Sequence, residues 1–407
     1  VTTEDGVELQ TYLGIQSGKN TWKSLSGEKD KDNWYAYGNN FLNTGANLTY
    51  ADLFETQDLV FKGEGGQSYD IKLDGDVDLG LGYMRFAKVG DASEQVRYNL
   101  SNNNSGDYRL DTAGFIVDAG VDVYMNLNGT NGYAREWRKI GEGNLHIAGQ
   151  GDNHEILLNL GGSGTTYLER NGGYAAYNVL ANNGTTVVIQ DSGQIKRDFT
   201  FGYGGATLDM NGNNMEWNND NDAAADGFTI HALTDEAKIT NAKAGSTTKL
   251  TWTQGGQREY LGSFVDSKEG GVFQFIYNGG EESKLILHSI YTDLGNAAPV
   301  GGEKSGIIVQ SGTLALQGTN TLHAPGSLGV NFSNARYFSE NDWHYADSKT
   351  NVTVQGGTFE LGHHARLTGD VTVQKGGTFL LREGVPNQYE YAEGGGLFLL
   401  PRERDPL

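Results

Sequence analysis

Between Asn351 and Leu381 one short pattern is written twice in succession. Val352, Val354, Phe359 and Leu361 return as Val371, Val373, Phe379 and Leu381. The valines recur after 19 residues and the Gly356-Gly357 pair after 20, as Gly376-Gly377, so one residue is added ahead of the second turn. Each unit reads as strand, glycine turn, strand: alternate apolar residues point to one side of a strand, and paired glycines let the backbone turn without a Cβ penalty. Val309, Leu314 and Leu316 carry the same spacing further back. One such unit cannot bury its own apolar side, but stacked units enclose a continuous core and pair each strand with its equivalent in the next coil. The pattern predicts an all-β, right-handed parallel β-helix over at least residues 58–381, with Val354, Phe359, Leu361, Val373, Phe379 and Leu381 inside. A β-sandwich with glycine-rich hairpins is the competing fold, but hairpins do not predict the same sequence at each turn.

Composition fits a turn-rich solenoid. Sixty glycines stand against five prolines in 407 residues, with no collagen-like period. A solenoid of this length needs no division into separate compact cores. The formal charge of −21 makes nucleic acid and anionic membrane poor partners. With no cysteine, disulfides, thiolate catalysis and cysteine metal sites are all excluded. No apolar run approaches the length of a membrane-spanning helix, so direct membrane insertion of this chain is not expected.

Residues 1–55 repeat least, and their Trp22, Trp34, Tyr35 and Tyr37 suggest a cap on the core or a junction to an upstream domain, with a sugar-stacking site as the alternative. An open coil end exposes strand edges and needs a cover. Residues 56–400 read as the β-helix, and 401–407, starting directly after Leu397-Phe398-Leu399-Leu400, as a processing boundary or cut end.

From Asp58 onward a series of local signatures appears in order. They are Asp58-Leu59-Val60-Phe61 through Gly65-Gly66, Gly80 to Phe86, Arg138-Lys139-Ile140-Gly141-Glu142-Gly143-Asn144-Leu145, Gly204 to Asn213, and Ile239-Thr240-Asn241. Each is a turn plus a strand, and their order is what is specific. In that order the chain resembles the passenger domains of serine protease autotransporters, which include the immunoglobulin A1 proteases and enterobacterial members. The resemblance is strong over about residues 55–255 and generic β-helix beyond.

What the resemblance implies is a secreted or surface-exposed stalk, exported through periplasm and outer membrane, that spaces an N-terminal protease from the cell and contributes host contact. The intact precursor would carry a chymotrypsin-like serine endopeptidase domain upstream and an outer-membrane barrel downstream. Host protein or glycan, and neighbouring bacterial cells, are the expected partners. The competing function is a carbohydrate-active β-helix, a polysaccharide lyase or hydrolase. That enzyme needs convergent carboxylates, or an acid and an arginine, at repeated coil positions. Glu360 instead recurs as Leu380.

Catalytic and metal signals are weak in the residues themselves. A nucleophilic serine needs a base and oxyanion donors nearby. Asp191-Ser192-Gly193 sits between Gln190 and Gln194, where the family's nucleophile lies in Gly-Asp-Ser-Gly-Ser, and it reads as a turn. Asp74, Asp76 and Asp78 alternate like calcium ligands, but Leu79 and Arg85 stand where a calcium loop needs glycine and glutamate. No catalytic residue, cofactor or metal site is assigned. Recognition is expected in three polar interruptions, 101–107, 218–226 and 255–271, since loops vary without breaking a stack. Their candidate contact residues are Tyr260, Phe264, Asp220, Asp222 and Asp226, with packing against a neighbouring coil as the alternative for the two aromatics.

Overall fold

The computed structural model describes residues 59–382 apart from 74–76, 80–81, 91–92, 103–108, 130–135, 154–155, 219–227, 268, 289–291 and 319–345, together with the backbone of five short strands between residues 9 and 48. All regular structure among the described residues is β-strand. The chain divides into two compact units, Val1–Phe199 and Thr200–Leu407. Each is a parallel β-helix. Parallel strands of one sheet joined by crossovers are right-handed in nearly every known case, which is the hand expected from the repeat.

In the first unit two long ladders carry the coils. Ser68–Leu73, Val96–Asn102, Val121–Asn126, Asn144–Ile147, Thr165–Leu168 and Thr186–Ile189 pair in that order, all parallel where their register is defined. Leu59–Glu64, Tyr83–Val89, Gly114–Val117, Glu136–Ile140, Leu157–Leu160 and Ala176–Ala181 form the second. A short third ladder joins Val77–Asp78, Arg109–Asp111 and Asn128–Gly129. Ahead of the first coil the pattern changes: Asn20–Trp22 pairs parallel with Leu59–Glu64, but Phe41–Asn43 and Ala46–Leu48 are added antiparallel. Antiparallel strands at that end break the parallel template, which is one way to blunt a sheet edge.

The second unit repeats the design. Met215–Trp217, Thr247–Trp252, Val272–Asn278, Gly306–Ser311, Val352–Val354 and Val371–Val373 form one ladder. Gln257–Tyr260, Lys284–Leu287, Thr313–Leu316, Gly357–Leu361 and Gly377–Leu381 form another. Thr292–Asp293, Ala346–Lys349 and Ala365–Thr368 close the triangle.

Stacking brings like residues together along the interior. Phe61 lies opposite Phe86 with ring centroids 5.0 Å apart, and Trp217 opposite Trp252 at 4.0 Å. Burying each such side chain contributes about 1.5–3 kcal/mol relative to exposure, so the columns are the main source of stability. The glycine corners exist because coils approach through their backbones. At Gly162, which has φ +81°, an added Cβ would run into the carbonyl of Gly141 one coil earlier. Gly141, at φ +97°, stands in the same relation to the Val117 carbonyl. The Gly-x-Gly corner is therefore both a left-handed turn and a close contact.

The three-copy repeat falls in register as its spacing predicts. Val309, Val354 and Val373 align, as do Leu314, Phe359 and Phe379, and Leu316, Leu361 and Leu381. Val354, Phe359 and Leu361 are fully buried. The expectation that all six marker side chains are inside needs correction at the last coil. Val373 and Leu381 are 46% and 42% exposed, and Phe379 is half-buried. Among the described residues no further coil is stacked on them, so one side of each faces outward along the stack.

Candidate recognition surface

Tyr260 and Phe264 are interior residues. Their exposures are 2% and 0%, which leaves nothing for a partner to grip, and this corrects their assignment as recognition anchors. Tyr260 stacks on Phe264 at 5.7 Å and meets Trp217 edge-on at 5.2 Å, while Phe264 stacks on Phe275 at 4.4 Å. The 255–271 interruption is itself coil: Gln257–Tyr260 pairs with Lys284–Leu287, and Ser263–Phe264 with Lys238–Thr240. Charge hid the alternation. Arg258 occupies the position opposite Leu285, in the column continued by Leu314 and Phe359, where an apolar residue would have announced a strand.

The other two interruptions lie mostly outside the described residues. Strand Val96–Asn102 carries Ser101 and Asn102, and 103–108 lie outside the described residues. So do Asp220, Asp222 and Asp226. The base of that second loop is described. The Asn218 amide donates to the Phe228 carbonyl at 3.0 Å, and the Phe228 amide donates back to Asn218 Oδ1 at 3.0 Å. Asn218 and Phe228 are thus clasped to each other, with Trp217 and Phe228 buried.

Ser192 sits in a side-chain-stabilised turn. The Gly193 amide donates to Asp191 Oδ1 at 3.0 Å and the Ser192 hydroxyl donates to the same oxygen at 3.4 Å. Asp74 and Asp76 lie outside the described residues, and the backbone of Asp78 lies in a short strand. Among the described residues no three His, Asp or Glu side chains gather around a common point. Asp122 faces Arg97 on one side and Asn144 on the other, and Glu360 lies between Ala315 and Leu380, so neither has a carboxylate beside it in register; Asp78 and Asp111 are aligned on adjacent coils.

Four polar arrangements were not visible in the sequence. On the outer face of the first unit, Tyr124, His146 and Tyr167 stack at 3.8 and 4.3 Å, with Arg97 lying over Tyr124 and Glu169 Oε1 at 3.1 Å from His146 Nδ1. Burial, then the nearby Asp122 carboxylate, raises the Tyr167 phenol above its usual range. Buried Arg170 donates to the carbonyls of Leu127 at 3.0 Å, Ala148 at 2.8 Å, Gln150 at 2.5 Å and Gly151 at 2.6 Å, and to Asn128 Oδ1, tying the corners of successive coils. Lys139 occupies an interior column between Phe115 and Leu160. Its ammonium donates to the Gly141 carbonyl at 2.9 Å, and burial pushes its pKa down to about 8. Glu360, almost fully buried, is held by Lys284 Nζ at 3.1 Å and Arg382 Nε at 2.9 Å. Sequence periodicity could have placed Lys139 inward, because it alternates with Trp137; the other three depend on which coils meet.

A cysteine-free, acidic parallel β-helix is of the kind found in autotransporter passenger domains. Its homologues are serine protease autotransporters, matched over part of their length. The chain is 24% identical to serine protease EatA of Escherichia coli O78:H11 over 85% of itself. It is 31% identical to the SepA autotransporter of Shigella flexneri over 49%, and 25% identical to the immunoglobulin A1 protease autotransporter of Haemophilus influenzae over 92%. It spans 29%, 12% and 23% of the lengths of these three relatives. Among solved structures, the Hap adhesin of Haemophilus influenzae superimposes with a TM-score of 0.61 over 95% of this chain and 42% of its own. The passenger domain of plasmid encoded toxin from enteroaggregative Escherichia coli gives 0.59 over 86% and 36%. Both are 19% identical in sequence and share the fold. No protein-family model matches the chain.

Proposed function

We propose that this chain is a stalk segment of an autotransporter passenger, secreted or held at the bacterial cell surface, which acts as a spacer and host-contact module. The observation that carries this reading is that curated relatives matched over most of the chain are autotransporter-type serine proteases, while the matched stretch here folds as β-helix and its one protease-like serine, Ser192, lies in a turn. The peptidase and the outer-membrane barrel belong, on this reading, to other parts of the precursor. Recognition of a host protein, a glycan or a neighbouring bacterium falls to the inserted loops, above all the one clasped at Asn218 and Phe228, because the stack tolerates change there. With a net charge of −21, selective contacts are expected in place of general attraction to polyanions.

The test uses bacteria producing the full precursor. An antibody to this chain should stain intact cells or detect it in the medium, and replacing residues 219–227 by a short glycine-serine link should lower host-cell or bacterial binding without moving the thermal melt. Staining only after permeabilisation would overturn the export reading. Unchanged binding by this variant and by one lacking 103–108 would reduce the segment to a spacer. Purified chain should not react with a fluorophosphonate; labelling at Ser192 that is lost in Ser192→Ala would make it an enzyme.

A further inference from the structure

Six Asn-Gly pairs occur in the chain, at 128–129, 131–132, 171–172, 183–184, 211–212 and 278–279. The second lies outside the described residues. In every pair the glycine leaves the asparagine amide unshielded from the next backbone nitrogen, which makes that amide chemically labile. The fold makes the pairs unequal. Asn183-Gly184 and Asn211-Gly212 are a matched set: each forms the centre of a tight turn, with φ of 51° and 73° in the first and 48° and 82° in the second. Positive φ at both central residues is the turn that Asn-Gly favours. The first is closed by the Thr185 amide donating to the Asn182 carbonyl at 3.1 Å, the second by the Asn213 amide donating to the Met210 carbonyl at 2.8 Å. What differs is how each is held. The Gly212 amide donates to Asn241 Oδ1 at 2.9 Å, and the Asn211 amide to Asp209 Oδ1 at 2.8 Å. Asn183 and Gly184 are exposed, and among the described residues neither the Gly184 amide nor the Asn183 side chain has a hydrogen-bond partner. A Cβ added at Gly184 would meet nothing within 4 Å.

The remaining three pairs are restrained in other ways. Asn128 Oδ1 accepts from the Arg170 guanidinium, and Asn278 Oδ1 accepts from the Ser311 hydroxyl at 2.7 Å. The Asn171 amide donates to the Gly149 carbonyl and its carbonyl accepts from the Gly151 amide, both at 2.9 Å, so its peptide groups cannot swing. We propose that Asn183 is a self-modification site, at which the folded chain converts asparagine to aspartate and isoaspartate with water as the only co-reactant. The Gly184 nitrogen gives up its proton to solvent base and attacks Asn183 Cγ. A new bond between that nitrogen and Cγ forms, the Cγ–Nδ2 bond breaks, and ammonia leaves with a proton taken from solvent. Water then opens the cyclic imide. Attack at Cγ restores the main chain and leaves an aspartate; attack at the backbone carbonyl carbon routes the main chain through Cγ as isoaspartate. Nothing is oxidised or reduced, and each event adds one negative charge. Aspartate tolerates the left-handed turn as asparagine does. The extra main-chain methylene of isoaspartate falls at an exposed tip, between strands whose Ala181 and Val187 stay buried in the stack.

The test holds the full 407-residue chain folded in mildly alkaline buffer, digests samples at intervals and sequences the peptides by mass spectrometry. Asn183 should convert first, roughly tenfold faster than Asn211, which is the rate equivalent of about one net hydrogen bond on the attacking amide. In urea, where the Asn241 and Asp209 contacts are gone, the two rates should converge. Asn183→Gly, which keeps the turn conformation, should abolish the leading acidic form on isoelectric focusing and leave the melting temperature unchanged. An Asn211 rate equal to or above that of Asn183 in the folded chain, a difference that persists undiminished in urea, or a leading acidic form that survives Asn183→Gly would overturn the proposal.

Discussion

Lys284 Nζ and Glu360 Oε1 lie 3.1 Å apart although 76 residues separate them in the chain. The ladder explains the distance, since Lys284 aligns with Thr313 and Thr358, so the ammonium crosses one intervening coil to reach a carboxylate two coils on. Arg382 approaches the same carboxylate from the next coil. The two partners are unequal. The Glu360 side chain is 4% exposed, the Lys284 side chain 28% and that of Arg382 54%. Removing a partner from a buried charge costs more than replacing the charge by an apolar residue of similar size. Glu360→Leu, which copies the residue found at Leu380, should therefore change stability by less than about 1 kcal/mol, and Lys284→Met should destabilise by roughly 2 kcal/mol because Glu360 loses one of its two cations. Chemical denaturation of the two variants checks the order.

Lys139 predicts a pH dependence of the opposite kind from an ordinary ion pair. Its folded-state pKa lies near 8, below the unfolded value of 10.5, because burial disfavours the charged form. Below pH 8 both states hold the proton and the full penalty, about 3 kcal/mol at 1.36 kcal/mol per unit, is present without slope. Between pH 8 and 10.5 the unfolded chain binds more protons, so stability rises with pH. Above about pH 10 the buried phenols of Tyr98 and Tyr260, whose ionisation is pushed up by burial, reverse the trend as unfolded tyrosines ionise. The rise should be visible from pH 8 to 10 in urea titrations. Lys139→Met should remove that contribution and stabilise the protein at pH 7 by up to about 3 kcal/mol.

Tyr260 separates packing from recognition. Its hydroxyl is buried without a hydrogen-bond partner. Leaving a buried polar group unsatisfied costs about 1–3 kcal/mol, so Tyr260→Phe should be neutral or stabilising by about 1 kcal/mol. Tyr260→Ala should destabilise by about 3–5 kcal/mol through the cavity beside Trp217 and Phe264. Loss of host-cell binding in a normally stable Tyr260→Phe variant would contradict the interior placement.

How much of this was legible depended on whether information lay within one coil or between coils. Alternation such as Val121, Val123 and Met125, all buried, marks a strand and its inner face without reference to anything else. The repeat at Val352–Leu381 went further, because identical spacing implies identical register. The 257–264 segment was misread since Arg258 breaks that alternation and a two-residue strand at Ser263–Phe264 is too short to show a period. The open end at Val373 and Leu381 was invisible because burial along a stack depends on the next coil, which a residue's own neighbourhood does not encode. The Tyr124, His146 and Tyr167 stack and the Arg170 clasp are also properties of register, spread over 43 residues in each case.

The central claim is that alternate residues of the repeat face a continuous interior, and Thr353 and Val354 test it side by side. Val354 is fully buried between Val309 and Val373, while Thr353 points to the other face and is partly exposed. A charge placed at Val354 enters the core without a partner. Thermal and urea unfolding of Val354→Asp and Thr353→Asp should show a loss of several kcal/mol for the first and less than about 1 kcal/mol for the second. Equal losses, or a Val354→Asp variant as stable as the parent, would contradict the β-helical assignment of these residues.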